Sequence, residues 1–292
     1  MSHAVSNQHA RDLAYRLSRL QPLLDASTTR VSTGSRIDRP SRDVAGVGLV
    51  AKLEGEQSRL GAVSMNLQNG MSRLQVSTDQ IRVLNNVVTR LAELTTLRAN
   101  PVQGSTDQAL YTVEAAVLQE QLRQTVGGTA AEVGGTTDVD RPLGRFNGRD
   151  LFGPESGEVL AIGLQIDEIA RLPVINLRQG AVAQLLSQDA SGNFDFDLSQ
   201  PGAIALIDGA LDQLGLAQAH VGAVQSRLEL AADVITTSRT NGESALSSIR
   251  DADIATETTL RTRLQILMEG HTAMILQARD INAKLLPLLA RR

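Results

Sequence analysis

Histidine is the side chain most often used for proton transfer and metal ligation near neutral pH, and this chain has four, His3, His9, His220 and His271. They are scattered: no two sit one helical turn apart with a glutamate between them, the arrangement that grips zinc on one helix face. His271 falls on an apolar stripe and reads as a packing or interface residue. Gly46 and Gly48 could cradle a phosphate only if a strand led into them, and none is predicted there. Neither a Gly-x-x-x-x-Gly-Lys loop nor a Gly-x-Ser-x-Gly elbow occurs. The acids Asp251 and Asp253 lie at an expected helix start, where the helix dipole accounts for them. With no cysteine, disulfides, thiol catalysis and Cys-ligated zinc are excluded. No catalytic residue, metal site or cofactor is expected, and the sequence reads as structural.

Composition agrees. The 292 residues are 42% hydrophobic but only 2% aromatic, so a core must be built from Leu, Val, Ile and Ala, which suits helices packed side by side. A net charge of −4 with no basic stripe argues against nucleic acid, and no apolar run is long enough for a membrane span. Residues 1–14 carry no apolar core of a secretory signal. Of the cations only Lys52 and Lys284 are lysines. That bias fits either a GC-rich genome or a preference for arginine where charges are buried between subunits.

The elements follow from the spacing of apolar residues. Leu13, Leu17, Leu20, Leu24 and Val31 form a heptad seam with Ser27 in the vacant place, and Pro22 is expected to kink or split that helix. Gly34 reads as the residue closing it, and Ser41 as the cap of the next. Steps of four and three from Leu49 through Leu60, Leu67, Leu74, Ile81 and Val88 to Leu91 then predict a helix roughly 65 Å long. Asn100-Pro101 ends it. A third helix over 106–126 should turn Leu110, Val113, Val117, Leu118 and Leu122 inward. Residues 127–148 read as loop. The runs Ile162-Leu164-Ile166, 174–177 and 194–198 are strand candidates in one small exposed hairpin-like region. Helix returns after Pro201 with Ile207, Leu211, Leu214, Val221, Leu228, Ala232 and Ile235, and Asn241-Gly242-Glu243 should break it. The last stripe is Leu260, Leu264, Leu267, His271, Met274, Ala278, Ile281, Leu285 and Leu288.

Five segments resemble bacterial flagellin, the subunit of the flagellar filament. They are Arg30 to Ile37 (Arg-Val-Ser-Thr-Gly-Ser-Arg-Ile), Asp43-Val44-Ala45-Gly46, Phe146-Asn147-Gly148 with Leu151-Phe152, Val221 to Leu228, and Ile249 to Glu257 (Ile-Arg-Asp-Ala-Asp-Ile-Ala-Thr-Glu). Their order and spacing carry the likeness over roughly 10–155 and 200–290. The resemblance implies a mainly α fold, a long antiparallel helical bundle or coiled coil of the N- and C-terminal segments, with a small β-hairpin region in the middle. It implies a terminal coiled coil from 1–40 and 246–292, a rod from 41–153 and 201–245, and a short β and loop region over 154–200.

It also implies self-assembly through Leu13, Leu17, Leu20, Leu24, Val31, Leu260, Leu264, Leu267, Met274, Ile281, Leu285 and Leu288. The implied partners are further copies, hook-associated and cap proteins, and an export chaperone on the C-terminal helix, in a flagellum reached by type III export. Nucleic acid and membrane insertion are not implied. Residues 1 to about 40 and 255–292 are expected to be poorly ordered until neighbours cover them. Arg90, Glu93 and Leu94 match the segment of enterobacterial flagellins recognised by Toll-like receptor 5, with Leu97 in place of a glutamine; the same face serves packing between protofilaments.

Departures from the family pattern are Pro22, Arg42 where an acid is usual, a longer loop over 127–144, and the Ala278-Arg279-Asp280-Ile281-Asn282 tail. A hook–filament junction protein, towards which the Arg-Ile-x-Arg-Pro-Ser stretch leans, and a cytoplasmic coiled-coil adaptor are the alternatives.

Overall fold

A computed structural model describes residues 2–289 apart from 101, 103 and 166; the side chains of 2–7, 9, 10 and 282–289 lie outside the described set. Strand candidate Ile166 and the side chains of His3, His9, Leu285 and Leu288 therefore fall outside it. In chain order the elements are α1 Ser2–Thr33, α2 Val44–Arg98, α3 Ser105–Val126, α4 Ala130–Val133, β1 Arg145–Phe146 and β2 Arg149–Asp150. Then come β3 Val159–Ala161, β4 Ile169–Arg171, α5 Ala181–Leu186, α6 Ala203–Arg250 and α7 Ile254–Leu289. Two compact units result, Met1–Gln57 with Thr240–Arg292, and Ser58–Arg239. The divisions fall within α2 and α6 rather than at loops.

In the 58–239 unit, α2 contributes the predicted row almost intact. Leu60, Val63, Leu67, Gly70, Leu74, Ser77, Ile81, Leu84, Val88 and Leu91 are all buried. α6 supplies Ile207, Leu214, Val221, Leu228 and Ile235 at steps of seven. The two non-apolar members of the α2 row have separate reasons. A side chain at Gly70 would run into Leu160 of β3 and Leu228 of α6, at 2.7 and 3.3 Å. The Ser77 hydroxyl donates to the Arg73 carbonyl at 3.0 Å, so it is buried without a lost hydrogen bond.

α3 corrects the expectation. Leu110, Val113 and Val117 point outward, each more than 60% exposed, while Ala115, Gln119, Leu122, Arg123 and Val126 are buried. The surface covering α3 includes the C-terminal end of α5 and nearby loop backbone, whose free carbonyls need donors more than they need leucines. Gln119 donates to the carbonyls of Leu185 and Phe196. Arg123, 1% exposed, donates to those of Leu186, Gly134 and Thr137 at 3.2, 2.8 and 2.9 Å.

The β content is two short antiparallel hairpins, β1–β2 and β3–β4. The first begins inside the stretch expected to be loop, 127–148, and its second strand lies just beyond it. Asn147 at φ 49° and Gly148 at φ 79° make the left-handed pair of a tight hairpin turn. The second sits to either side of the Ile162 run rather than on it. Residues 174–177 are not a strand, although Ile175 and Leu177 are buried, and 194–198 contributes one bridge, Phe194 to Gln188. Runs this short lack the ladder partners that turn β propensity into a strand.

In the other unit, α1 and α7 pack together. Ser27 and Arg30 meet Glu257 while Ser35 meets Asp251, so the two helices run antiparallel. α1 is not split at Pro22, which lies inside it. One lost N–H and a crowded carbonyl cost about 3 kcal/mol, and a pairing face many turns long offsets that. α1 closes at Gly34, φ 68°, whose N–H reaches the Arg30 carbonyl. α2 begins two residues after the expected Ser41; Asp43 caps it, its carboxylate accepting from Gly46 N–H at 2.8 Å. A side chain at Gly46 would collide with that carboxylate. The break expected at Asn241-Gly242-Glu243 is absent: α6 runs through it, and Gly242 lies against the end of the Gln57 side chain.

Candidate self-assembly site

The two turns of the terminal unit are stitched to each other. Arg36 N–H donates to the Arg250 carbonyl at 2.7 Å and Ala252 N–H to the Gly34 carbonyl at 2.8 Å, around the Ser35–Asp251 bridge. The Arg36 guanidinium donates to the Ile249 carbonyl at 3.0 Å. Asp253 then caps α7, accepting from Ala255 and Thr256 N–H at 2.9 and 3.2 Å and from the Thr256 hydroxyl at 2.8 Å. The Thr256 hydroxyl first, and those amides next, hold its carboxyl below the usual aspartate range. Asp251 is lowered too, by the Ser247 hydroxyl and then Arg250.

Glu257, one turn on, enters the seam. Its carboxylate takes Arg30 Nε at 2.8 Å, an Arg30 terminal nitrogen at 3.2 Å and the Ser27 hydroxyl at 2.8 Å. Arg30 and Glu257 side chains are only 19% and 16% exposed, and Ser27 is fully buried. So the vacant place in the first heptad stripe is a polar anchor point, and the acidic motif at 251–257 is a bridge, a cap and an ion pair in succession. Periodicity alone missed this trio. The signal available was a serine on one stripe, an arginine three residues on, and a glutamate at the head of the other.

That anchor fixes which side of α7 faces α1. The half-buried and buried row is Glu257, Arg261, Leu264, Met268, His271, Ile275 and Ala278, at steps of four and three. Among the described residues the predicted stripe shares Leu264, His271 and Ala278 with it. Leu260, Leu267, Met274 and Ile281 lie outside, at 37, 41, 55 and 49% exposure, joined by Ile266 and Leu276. On α1, Leu13, Leu17, Leu20, Leu24 and Val31 are all half-buried. α7 therefore carries two apolar faces, one paired within the chain and one open.

Elsewhere, Arg90 on α2 binds Glu93 and Glu114, each at 2.7 Å, and these two carboxylates raise its pKa. Leu94 is fully buried, so only Arg90 and Glu93 of that trio reach the surface. Among the described histidines, His220 is exposed on α6 and His271 lies on the α7 inner row; they are not brought together. No cluster of three or more metal-ligating side chains occurs among the described residues. No helix there is long and apolar enough to cross a membrane.

Two family models match the chain: the bacterial flagellin N-terminal helical region over residues 5–132, and the C-terminal helical region over 204–289. Among curated relatives, a flagellar filament 30.7 kDa core protein of Treponema maltophilum is 27% identical, covering 99% of both chains. A flagellar filament 33 kDa core protein of Treponema phagedenis is 28% identical over 89% of this chain and 90% of its own. A flagellin of Bacillus subtilis is 27% identical over 94% and 95%. These names favour a filament subunit over a junction protein or an adaptor.

Proposed function

The chain belongs to the bacterial flagellin family, a structural family and not an enzyme one, and from its place as a subunit of the flagellar filament we propose how copies join. The open row of α7, Leu260, Leu267, Met274 and Ile281, is covered by terminal helices of neighbouring copies. The α1 seam of Leu13, Leu17, Leu20, Leu24 and Val31 holds α7 in place for that contact. The observation that carries this reading is the second apolar face of α7, unpartnered within the chain. A row of that length exposed to water is an association surface. Leu110, Val113 and Val117 on α3 offer a second, smaller surface between copies. Arg90 and Glu93 border it as a polar contact between protofilaments, or as a receptor contact that purified monomer on receptor-reporting cells would reveal.

Before assembly the same α7 row needs a cover, which an export chaperone supplies while the chain leaves by the flagellar type III route. Hook-associated and cap proteins bound the polymer, which lies outside the cell. Antibody binding to filaments on intact cells tests that location, and labelling only after the envelope is opened would overturn it. For the joining surface the test is Leu267→Lys with Met274→Lys. The variant monomer should keep its helix content yet fail to extend filament seeds under the electron microscope. Filaments of normal length from that variant would refute the reading.

A further inference from the structure

α7 is apolar on two faces, so burial of leucines alone does not say which face should meet α1, nor at which heptad. Leu260, Leu267 and Met274 would fill the seam about as well as Met268 and Ile275, which do fill it. Sliding α7 by seven residues would likewise set leucine against leucine. A coiled coil with such degenerate choices needs a polar device to pick one.

We propose that Glu257, held by Arg30 and Ser27, is the register lock of the terminal helix pair and thereby selects the face of α7 that stays open. The geometry makes the lock one-sided. Slid one heptad along α1, the Glu257 carboxylate would face Leu20 and Leu23 and lose all three of its donors. Rotated to bury the Leu260 row, α7 would carry Glu257 away from Arg30. Either change strands two charges that are now more than four-fifths buried against each other. Stranding a buried partner is far more costly than the pair itself is stabilising, which is why such pairs specify more than they stabilise. The backbone bridge at Ser35–Asp251 joins the turn after α1 to the turn before α7. Within the helix pair, the polar contact that a slip or a rotation breaks is Glu257 with Arg30 and Ser27.

The inference rests on the reading that the open α7 row joins copies, but its first test does not need assembly. The chain has no cysteine, so pairs can be introduced cleanly. Leu20 and Leu264 lie one heptad beyond Ser27 and Glu257 on their respective helices. Leu20→Cys with Leu264→Cys therefore reports the native register, and Leu13→Cys with Leu264→Cys reports a slip of one heptad. With Glu257 present, only the first pair should form a disulfide. Adding Glu257→Leu should raise trapping of the second at least about tenfold at unchanged helix content, and Arg30→Glu with Glu257→Arg should return it to the starting level. No rise with Glu257→Leu, or no rescue by the exchanged pair, would overturn the lock. Seeding then separates the two readings. Slipped monomers that still build normal filaments would sink the α7 joining surface and leave the lock standing. Monomers in single register that fail to build them would do the reverse.

Discussion

Arg30 of α1 and Glu257 of α7 lie 227 residues apart in the chain and are joined by two hydrogen bonds, at 2.8 and 3.2 Å. Each belongs to one of the segments by which the two halves resemble flagellin. What looked like two separate signatures is one contact written in two places, and its consequences can be measured.

Asp253 is the first. It satisfies two amides at the start of α7, so Asp253→Ala should destabilise the terminal unit, read as a lower midpoint in urea. The pH dependence follows from its lowered pKa and that of Asp251. A carboxyl bound more tightly when ionised in the folded chain adds stability above the ordinary aspartate range. That contribution disappears as pH falls through the lower folded value. Helix content of the termini should therefore fall below about pH 4, and less steeply in Asp253→Ala. An acid transition identical in the two chains would contradict this.

Gly70 and Gly242 should behave oppositely although both are helix-interior glycines. Gly70 faces Leu160 and Leu228 in a filled core, so Gly70→Leu should destabilise the 58–239 unit by about 1–3 kcal/mol. Gly242 faces only the end of the Gln57 side chain, which can turn aside. There Gly242→Ala should be neutral or stabilising by up to about 1 kcal/mol, the helix propensity gained. Thermal melts of the two variants decide it.

Arg123→Met leaves one buried and two part-buried carbonyls without this donor and should destabilise by roughly 3 kcal/mol. Hydrogen exchange should rise first over 128–139 and 186–188, the backbone Arg123 holds. A uniform rise across the unit would mean the arginine has no local role.

The long helices were readable from spacing because a heptad row in α2 is a one-dimensional pattern, and Leu60 to Leu91 follow it. Resemblance then supplied what spacing could not, the antiparallel meeting of α1 and α7. The misreadings share a cause. On α3, Leu110 and Val113 obey the period, yet the partner surface is the end of α5 with nearby loop backbone, which favours Gln119 and Arg123. At Gly242 a breaker residue turned out to serve a close helix contact. Asn147-Gly148 was a hairpin signal of known strength, overlooked inside a stretch rich in glycine. On α7 the period itself was ambiguous, since two rows one residue apart both fit. Only Glu257, a polar residue, separated them.

The termini should also reveal their dependence on neighbours. In dilute monomer, protease should cut residues 1 to about 40 and 255–292 faster than the 58–239 unit, by transient opening of the α1–α7 pair, and in filaments both should survive. Equal resistance of the termini in the two states would contradict intersubunit burial.

The central claim, that copies cover the open row of α7, is tested most directly by oxidation of Met274. In monomer this side chain is 55% exposed, so its sulfur should oxidise freely. Mass spectrometry of matched monomer and filament samples should show oxidation at Met274 slowed at least about tenfold on assembly. Equal rates in monomer and filament would place the joining surface elsewhere.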